Sequence, residues 1–272
     1  GLGILAPFAR NPQELDLMMN TAAPIWDGNE TWLVLGGVGL LAAFPAVYAL
    51  VLSSLYLPVL VMVMALVFRG VAFEFRFKAR RSRWVWGGAF FAGSLLAAVA
   101  QGVILGAIVQ GLAVEDGRYV GGAFGWFSPF TMLTGLALAA GYALLGGSWL
   151  ILKTEGPVRT LACGLTRMLA GVVIAALGLV STWLPFLSSR VMARWFESGN
   201  FWWLSPVPLC ALVVSVLLWR TTGRGGPDSR PFLLSLLLFA LAFVGLVLGM
   251  WPYLVPPTYT LWQAAAPPSL PP

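Results

Sequence analysis

Four ionisable side chains lie in otherwise apolar surroundings, and any chemistry in this chain would start from them. Asp27 and Glu30 stand in Trp26-Asp27-Gly28-Asn29-Glu30-Thr31-Trp32; Arg69 and Glu74 stand in Phe68-Arg69-Gly70-Val71-Ala72-Phe73-Glu74-Phe75. A charge within or bordering a lipid-embedded segment costs a few kcal/mol or more, so each one calls for a partner or a function. Arg69 comes seven residues before Arg76, which on a helix places it about 10 Å deeper than the basic run that begins there. It therefore needs an acidic partner, and Asp27 or Glu30 is the candidate. A carboxylate flanked by Trp26 and Trp32 at the mouth of a bundle can take up and release a proton, which is the chemistry of a relay. The same residues also fit a helix start, with Asp27 as N-cap and Glu30 completing a D-x-x-E capping box. Both readings of Asp27 stay open. Glu74, followed by Arg76 and Lys78, reads as a solvated interface residue and a lesser proton-route candidate.

Other chemistries find little material. The 272 residues contain no histidine, the commonest haem and metal ligand and the usual proton shuttle near neutral pH. The two cysteines, Cys163 and Cys210, sit in apolar runs and outline neither a disulfide framework nor a zinc cluster. The methionines, Met62 and Met64 among them, read as gap-fillers, and a haem-ligand role lacks a histidine partner. No P-loop, G-x-S-x-G, H-E-x-x-H or C-x-x-C occurs. No catalytic residue and no metal held by this chain are expected.

The elements that must carry the four charges follow from composition. With 59% hydrophobic and 10% charged residues and a mean hydropathy of +0.87, the chain is neither a water-soluble domain nor disordered, and its net charge of +6 does not mark a nucleic-acid binder. Seven stretches are long and apolar enough to span a bilayer: Trp32 to Leu52, Leu55 to Phe75, Trp84 to Gln110, Ala123 to Leu152, Leu165 to Leu187, Phe201 to Trp219, and Phe232 to Trp251. Continuous apolar runs without alternation exclude a barrel, so the expected fold is all-α, a polytopic transmembrane helix bundle forming one integral-membrane domain over residues 1–272.

Basic residues set the orientation. The loop after the second span holds Arg76, Lys78, Arg80, Arg81 and Arg83; the next holds Arg118; then come Lys153, Arg159 and Arg167; Arg190 and Arg194 with Glu197; Arg220, Arg224 and Arg230; and an uncharged stretch after Trp251. Rich and poor loops alternate, which places the Arg76 to Arg83 loop in the cytoplasm, in contact with lipid headgroups. Trp32, Trp84, Trp126, Trp149, Trp183, Trp219 and Trp251 fall near span ends as an aromatic belt. The first two spans read as a tight antiparallel hairpin turning near Ser53, so the four charges meet at the cytoplasmic side. Ala98, Gly102 and Gly106 recur every fourth residue on the third span, which lets a neighbouring backbone approach closely, and Gln101 and Gln110 can bridge helices.

The segment Met18-Met19-Asn20-Thr21-Ala22-Ala23-Pro24-Ile25-Trp26-Asp27-Gly28-Asn29-Glu30-Thr31-Trp32-Leu33 closely resembles subunit II of cytochrome bd-type quinol oxidases. Phe44-Pro45-Ala46-Val47-Tyr48, Phe68 through Lys78, Trp149-Leu150-Ile151-Leu152-Lys153-Thr154-Glu155-Gly156 and Leu261-Trp262-Gln263-Ala264-Ala265-Ala266 match in order, in wording closest to the cyanide-insensitive branch. The resemblance implies a nine-helix subunit of two four-helix bundles plus a peripheral helix, paired with a similarly folded subunit I in the bacterial inner membrane. Seven spans are two short of that. Family members carry a helix with an acidic D-G-F-D element just before the position of Gly1 and another helix after that of Pro272, so the chain is expected to be cut at both ends.

The resemblance further implies that subunit I holds haem b and haem d and oxidises the quinol, while the complex reduces dioxygen to water and contributes to the proton gradient. This chain would be a non-catalytic companion, with membrane lipids and a small accessory subunit as further partners. Asp27 matches a family carboxylate at the cytoplasmic proton uptake, and Trp32 a tryptophan at a hydrophobic oxygen entrance. The rival from another class is a secondary transporter whose Asp/Glu/Arg cluster binds a substrate or coupling ion. Transporters place such charges at the midplane on broken helices, whereas here they collect at one face.

Overall fold

The computed structural model describes residues 1–187, 189–196, 199–222 and 229–266; Glu197 and Arg224, which entered the charge pattern, lie outside them. Two short helices open the chain, α1 (Leu2–Leu5) and α2 (Pro12–Ala22). The start of α2 is written in its sequence. The Asn11 side chain accepts from the Glu14 backbone N–H, the Glu14 carboxylate accepts from the Arg10 N–H at 2.8 Å, and Pro12 fills a first turn that needs no donor. α1 is wedged between two later helices so closely that a Cβ on Gly3 would meet Ser94.

The expected first span, Trp32 to Leu52, is instead two helices, α3 (Trp26–Ala43) and α4 (Pro45–Ser54). Proline has no N–H to continue the ladder and disfavours helical geometry in the residue before it, and Phe44 accordingly leaves it at φ −139°, ψ 62°. The carbonyl of Ala43, freed by the break, accepts from the Ala266 N–H at 2.8 Å. Even so, the segment runs from Glu30, beside Arg69, to Leu55, which packs with Ala107 and Leu112 at the opposite end of the bundle.

Among the described residues, six helices are long and apolar enough to cross a membrane: α5 (Tyr56–Lys78), α6 (Arg83–Gln110), α7 (Pro129–Lys153), α8 (Gly156–Leu187), the continuous pair α10 (Asn200–Leu204) and α11 (Pro206–Thr221), and α12 (Arg230–Met250). These correspond to the second through seventh expected spans, with shifted ends. The Ala123 to Leu152 stretch starts helix only at Pro129, because Ser128 closes a capping box with Thr131; the Leu165 to Leu187 stretch starts at Gly156. A short helix, α9 (Ser189–Phe196), follows α8. Two loops hold small antiparallel pairs that apolar length could not reveal: β1 (Val114–Glu115) with β2 (Arg118–Tyr119), and β3 (Tyr253–Val255) with β4 (Tyr259–Thr260), after which α13 (Leu261–Ala264) closes the described chain.

Helices α5, α6, α7 and α8 pack as successive neighbours; α11 and α12 pair and return against α8 and α7. The small-residue stripe does what its spacing implies. A Cβ on Gly102 would stand 2.5 Å from the Thr134 carbonyl of α7, and Thr134 Oγ1 donates to the Gly102 carbonyl at 2.9 Å. Basic residues gather where α5 meets α6, where α7 meets α8 and where α11 ends, which makes this the basic end of the bundle. The other end is closed by α4 and the loops around residues 112 and 255.

Candidate functional site

The four sequence candidates lie at the basic end, around α5. Arg69, Phe73 and Arg76 are spaced four and three residues apart, which places them along one helix face, and each takes its partner from the preceding α2–α3 segment. Arg69 donates to Glu30 Oε1 at 2.6 Å, so of the two acids proposed for it the structure selects Glu30. Phe73 stacks on Trp26 with ring centroids 5.2 Å apart. Arg76 reaches Asp16 Oδ1 at 3.1 Å and also donates to the Arg83 carbonyl at 2.8 Å and to the Pro12 carbonyl at 3.4 Å. As the numbers rise from 16 to 26 to 30 they fall from 76 to 73 to 69, so the three contacts form an antiparallel ladder.

Asp16 is the residue that composition and family likeness did not single out. Its second oxygen pairs with Arg83, so one carboxylate joins α2 to the ends of α5 and α6. Arg76 is only 2% exposed; it is not part of a solvated loop, since α5 runs through Lys78 and the turn is confined to residues 79–82. Burial of a guanidinium requires a charge partner and hydrogen-bond acceptors; Asp16 supplies the charge and two carbonyls accept hydrogen bonds, while Arg76 Nε and Asp16 Oδ1 are buried without a hydrogen-bond partner. A signal existed in the sequence. Arg76 lies seven residues after Arg69 on the same face, and Asn11-Pro12 announces a helix that carries Asp16 past it.

Asp27 is not an N-cap. The turn closed by the Ile25 N–H on the Ala22 carbonyl makes Trp26 the first helical residue; Ile25 holds the cap position with no side-chain bond, and the expected capping box with Glu30 does not form. Asp27 instead sits in the first turn of α3, exposed, where a negative charge faces the positive end of the helix dipole, and its carboxylate has no hydrogen-bond or ion-pair partner among the described residues. Glu74 is exposed and likewise outside the ladder. Trp32 is 72% exposed on α3, a helix with no buried residue.

At the other end, Gln110 accepts from Ser128 Oγ at 2.8 Å, the bridging use expected of it. A cavity of about 40 Å³ lies there, lined by Gln110, Gly111, Tyr119 and Trp126 among others. The Tyr119 hydroxyl is buried without a partner, and burial pushes its phenol pKa up. Among the described residues no group of three or more His, Cys, Asp or Glu side chains could hold a metal ion, and Cys163 and Cys210 form no disulfide. Met18 and Met19 fill apolar clusters.

The family model for cytochrome bd terminal oxidase subunit II matches residues 1–270. Cytochrome bd-I ubiquinol oxidase subunit 2 of Escherichia coli is 28% identical, covering 98% of this chain and 80% of that protein. Cytochrome bd ubiquinol oxidase subunit 2 of Bacillus subtilis is 32% identical over 65% of this chain and 53% of that protein. In structure, a chain of the bd oxidase from Geobacillus thermodenitrificans aligns with a TM-score of 0.78 at 19% identity, over 95% of this chain and 79% of that one, which shows a shared fold. The transporter alternative finds no support in these comparisons. The chain belongs to the cytochrome bd terminal oxidase subunit II family and is a multi-pass membrane subunit of a quinol oxidase complex.

Proposed function

We propose that this chain is a non-catalytic companion that supports a haem-bearing subunit I in the bacterial inner membrane and brings protons from the cytoplasm toward it. The observation that carries the proton role is the division of labour between two acids one helical turn apart: Glu30 is engaged by Arg69, whereas Asp27 is exposed and has no partner among the described residues. Asp27 can therefore accept a proton from water and pass it on. Glu30 and Arg69 fix the helix that carries it. Glu74 is a second, exposed acceptor near the same end. Trp32, on the apolar surface of α3, is the place for a hydrophobic oxygen entrance toward the partner.

Haem b and haem d fit subunit I rather than this chain, because the 272 residues offer no histidine and the buried Met18 and Met19 are packed in apolar clusters. When bound in the partner, the haems supply the electron transfer from quinol to dioxygen. The residues here supply shape, charge balance and a protonatable group. A small accessory subunit and membrane lipids complete the assembly, with the basic end facing the cytoplasm.

The test is turnover of the assembled complex carrying Asp27→Asn, which keeps the size of the side chain but cannot take a proton. A drop of about a hundredfold is expected, the scale of a lost proton-transfer group, with Asp27→Glu restoring most of it. Wild-type turnover in Asp27→Asn would overturn the relay. Copurification with haem absorbance tests the companion role.

A further inference from the structure

We propose that Asp16 is a positioning residue for proton uptake: through Arg76 it fixes the register of the α2–α3 segment on α5 and so sets where Asp27 stands. The inference rests on the relay reading of Asp27 and goes beyond it by naming the residue that holds the mouth in place.

The ladder has three rungs, Glu30 on Arg69, Trp26 on Phe73 and Asp16 on Arg76. Asp27 hangs between the first two and makes no anchoring bond through its own side chain. Its position is thus decided by the rungs above and below it. The upper pair is about a quarter exposed on each side, at 24% and 27%, and the stacked rings are held by apolar contact, which is non-directional. The lowest rung differs. The Arg76 side chain is 3% exposed and held by two backbone carbonyls in addition to Asp16, so it cannot follow a shifted partner. A slip of α2–α3 by one residue would strand that guanidinium without a counter-charge, which makes slippage costly. The α2 helix is rigid enough to transmit the constraint: Met19 is fully buried against Ala72, Phe73 and Phe90, and Trp26 packs on the same cluster. Arg76 and Arg83 are the charged groups paired with Asp16.

The mechanism is geometric. A carboxylate moved by about 1 Å from its proton donor or acceptor loses as much as a hundredfold in rate, because hydrogen-bond reach is short. Asp16→Asn keeps the shape of the side chain and removes the charge that holds Arg76.

The experiment uses the haem-loaded complex with its partner subunit, comparing wild type, Asp16→Asn, Asp16→Glu, Arg76→Lys and Asp27→Asn. Three quantities are read: turnover against pH, amide hydrogen exchange over residues 12–31, and thermal midpoint. In Asp16→Asn, turnover is expected to fall about tenfold with a displaced pH profile, and exchange over the segment to rise. Asp16→Glu, which keeps the charge, should return both toward wild type. If Asp16→Asn lowers the thermal midpoint while pH profile and exchange stay as in wild type, Asp16 is only a fastener and the proposal is overturned. Should Asp16→Asn fail to assemble, Arg76→Lys decides. It keeps the charge and loses the planar fork, so an intermediate displacement of both readouts supports the proposal and wild-type behaviour overturns it. The two readings fail separately. Full turnover in Asp27→Asn sinks the relay whatever Asp16 does, and a silent Asp16→Asn beside an impaired Asp27→Asn sinks the positioning role alone.

Discussion

The two ends of the bundle are closed by different physics. At the basic end, charge does the closing: Asp16 bridges Arg76 and Arg83, Glu30 holds Arg69, and aromatic rings fill the space between. At the other end, Val47, Leu50, Val51 and Leu55 of the α4 region pack with Ala107, Leu112, Val255 and Ala264, and no ion pair takes part among the described residues. Apolar contact is non-directional and tolerates small shifts, whereas an ion pair at low exposure fixes one register. The end that fixes register is the end that carries Asp27.

This contrast can be broken or sharpened by substitution, read as unfolding free energy of the purified complex. The largest effect is expected from Asp16→Ala, which leaves the buried Arg76 guanidinium without a counter-charge and costs about 3 to 4 kcal/mol. Leu55→Ala at the opposite end removes a fully buried side chain and costs about 2 to 3 kcal/mol. Salt separates the two further. Raising it from about 0.1 to 1 M should reduce the measured contribution of the quarter-exposed Glu30 pair and leave the Leu55 penalty unchanged. Glu30→Gln comes next, at about 1 kcal/mol, because the pair is open enough to solvent for screening. Tyr119→Phe deletes a buried hydroxyl with no partner and should stabilise by up to about 1 kcal/mol. Glu74→Gln, at an exposed position outside the ladder, should change stability by less than about 0.5 kcal/mol.

Much of this arrangement was legible in the residues alone. Apolar length gave the bundle, the alternation of basic loops gave two unlike ends, the Ala98-Gly102-Gly106 stripe gave the close approach of α6 to α7, and the depth of Arg69 required an acid from the first segment. Each of these is a local or periodic property, set by the bilayer's cost for unsatisfied backbone and unpaired charge, and a linear sequence carries it in full.

Tertiary structure decided the rest. Nothing local distinguishes Glu30 from Asp27 as the partner of Arg69, since both lie within a turn; the choice is visible only in the folded chain, where Trp26 stacks on Phe73 and Glu30 meets Arg69. The break at Phe44 was signalled by Pro45, yet apolar length masked it, and the acceptor it exposes is satisfied by Ala266, over two hundred residues away. Asp16 looked like one acid in a polar stretch, because its meaning lies in Arg76, sixty residues further on and buried only once α2, α5 and α6 come together. Sequence determines which segments must leave water. Only packing decides which charge accompanies which, because pairing depends on register across helices and not on the composition of any one of them.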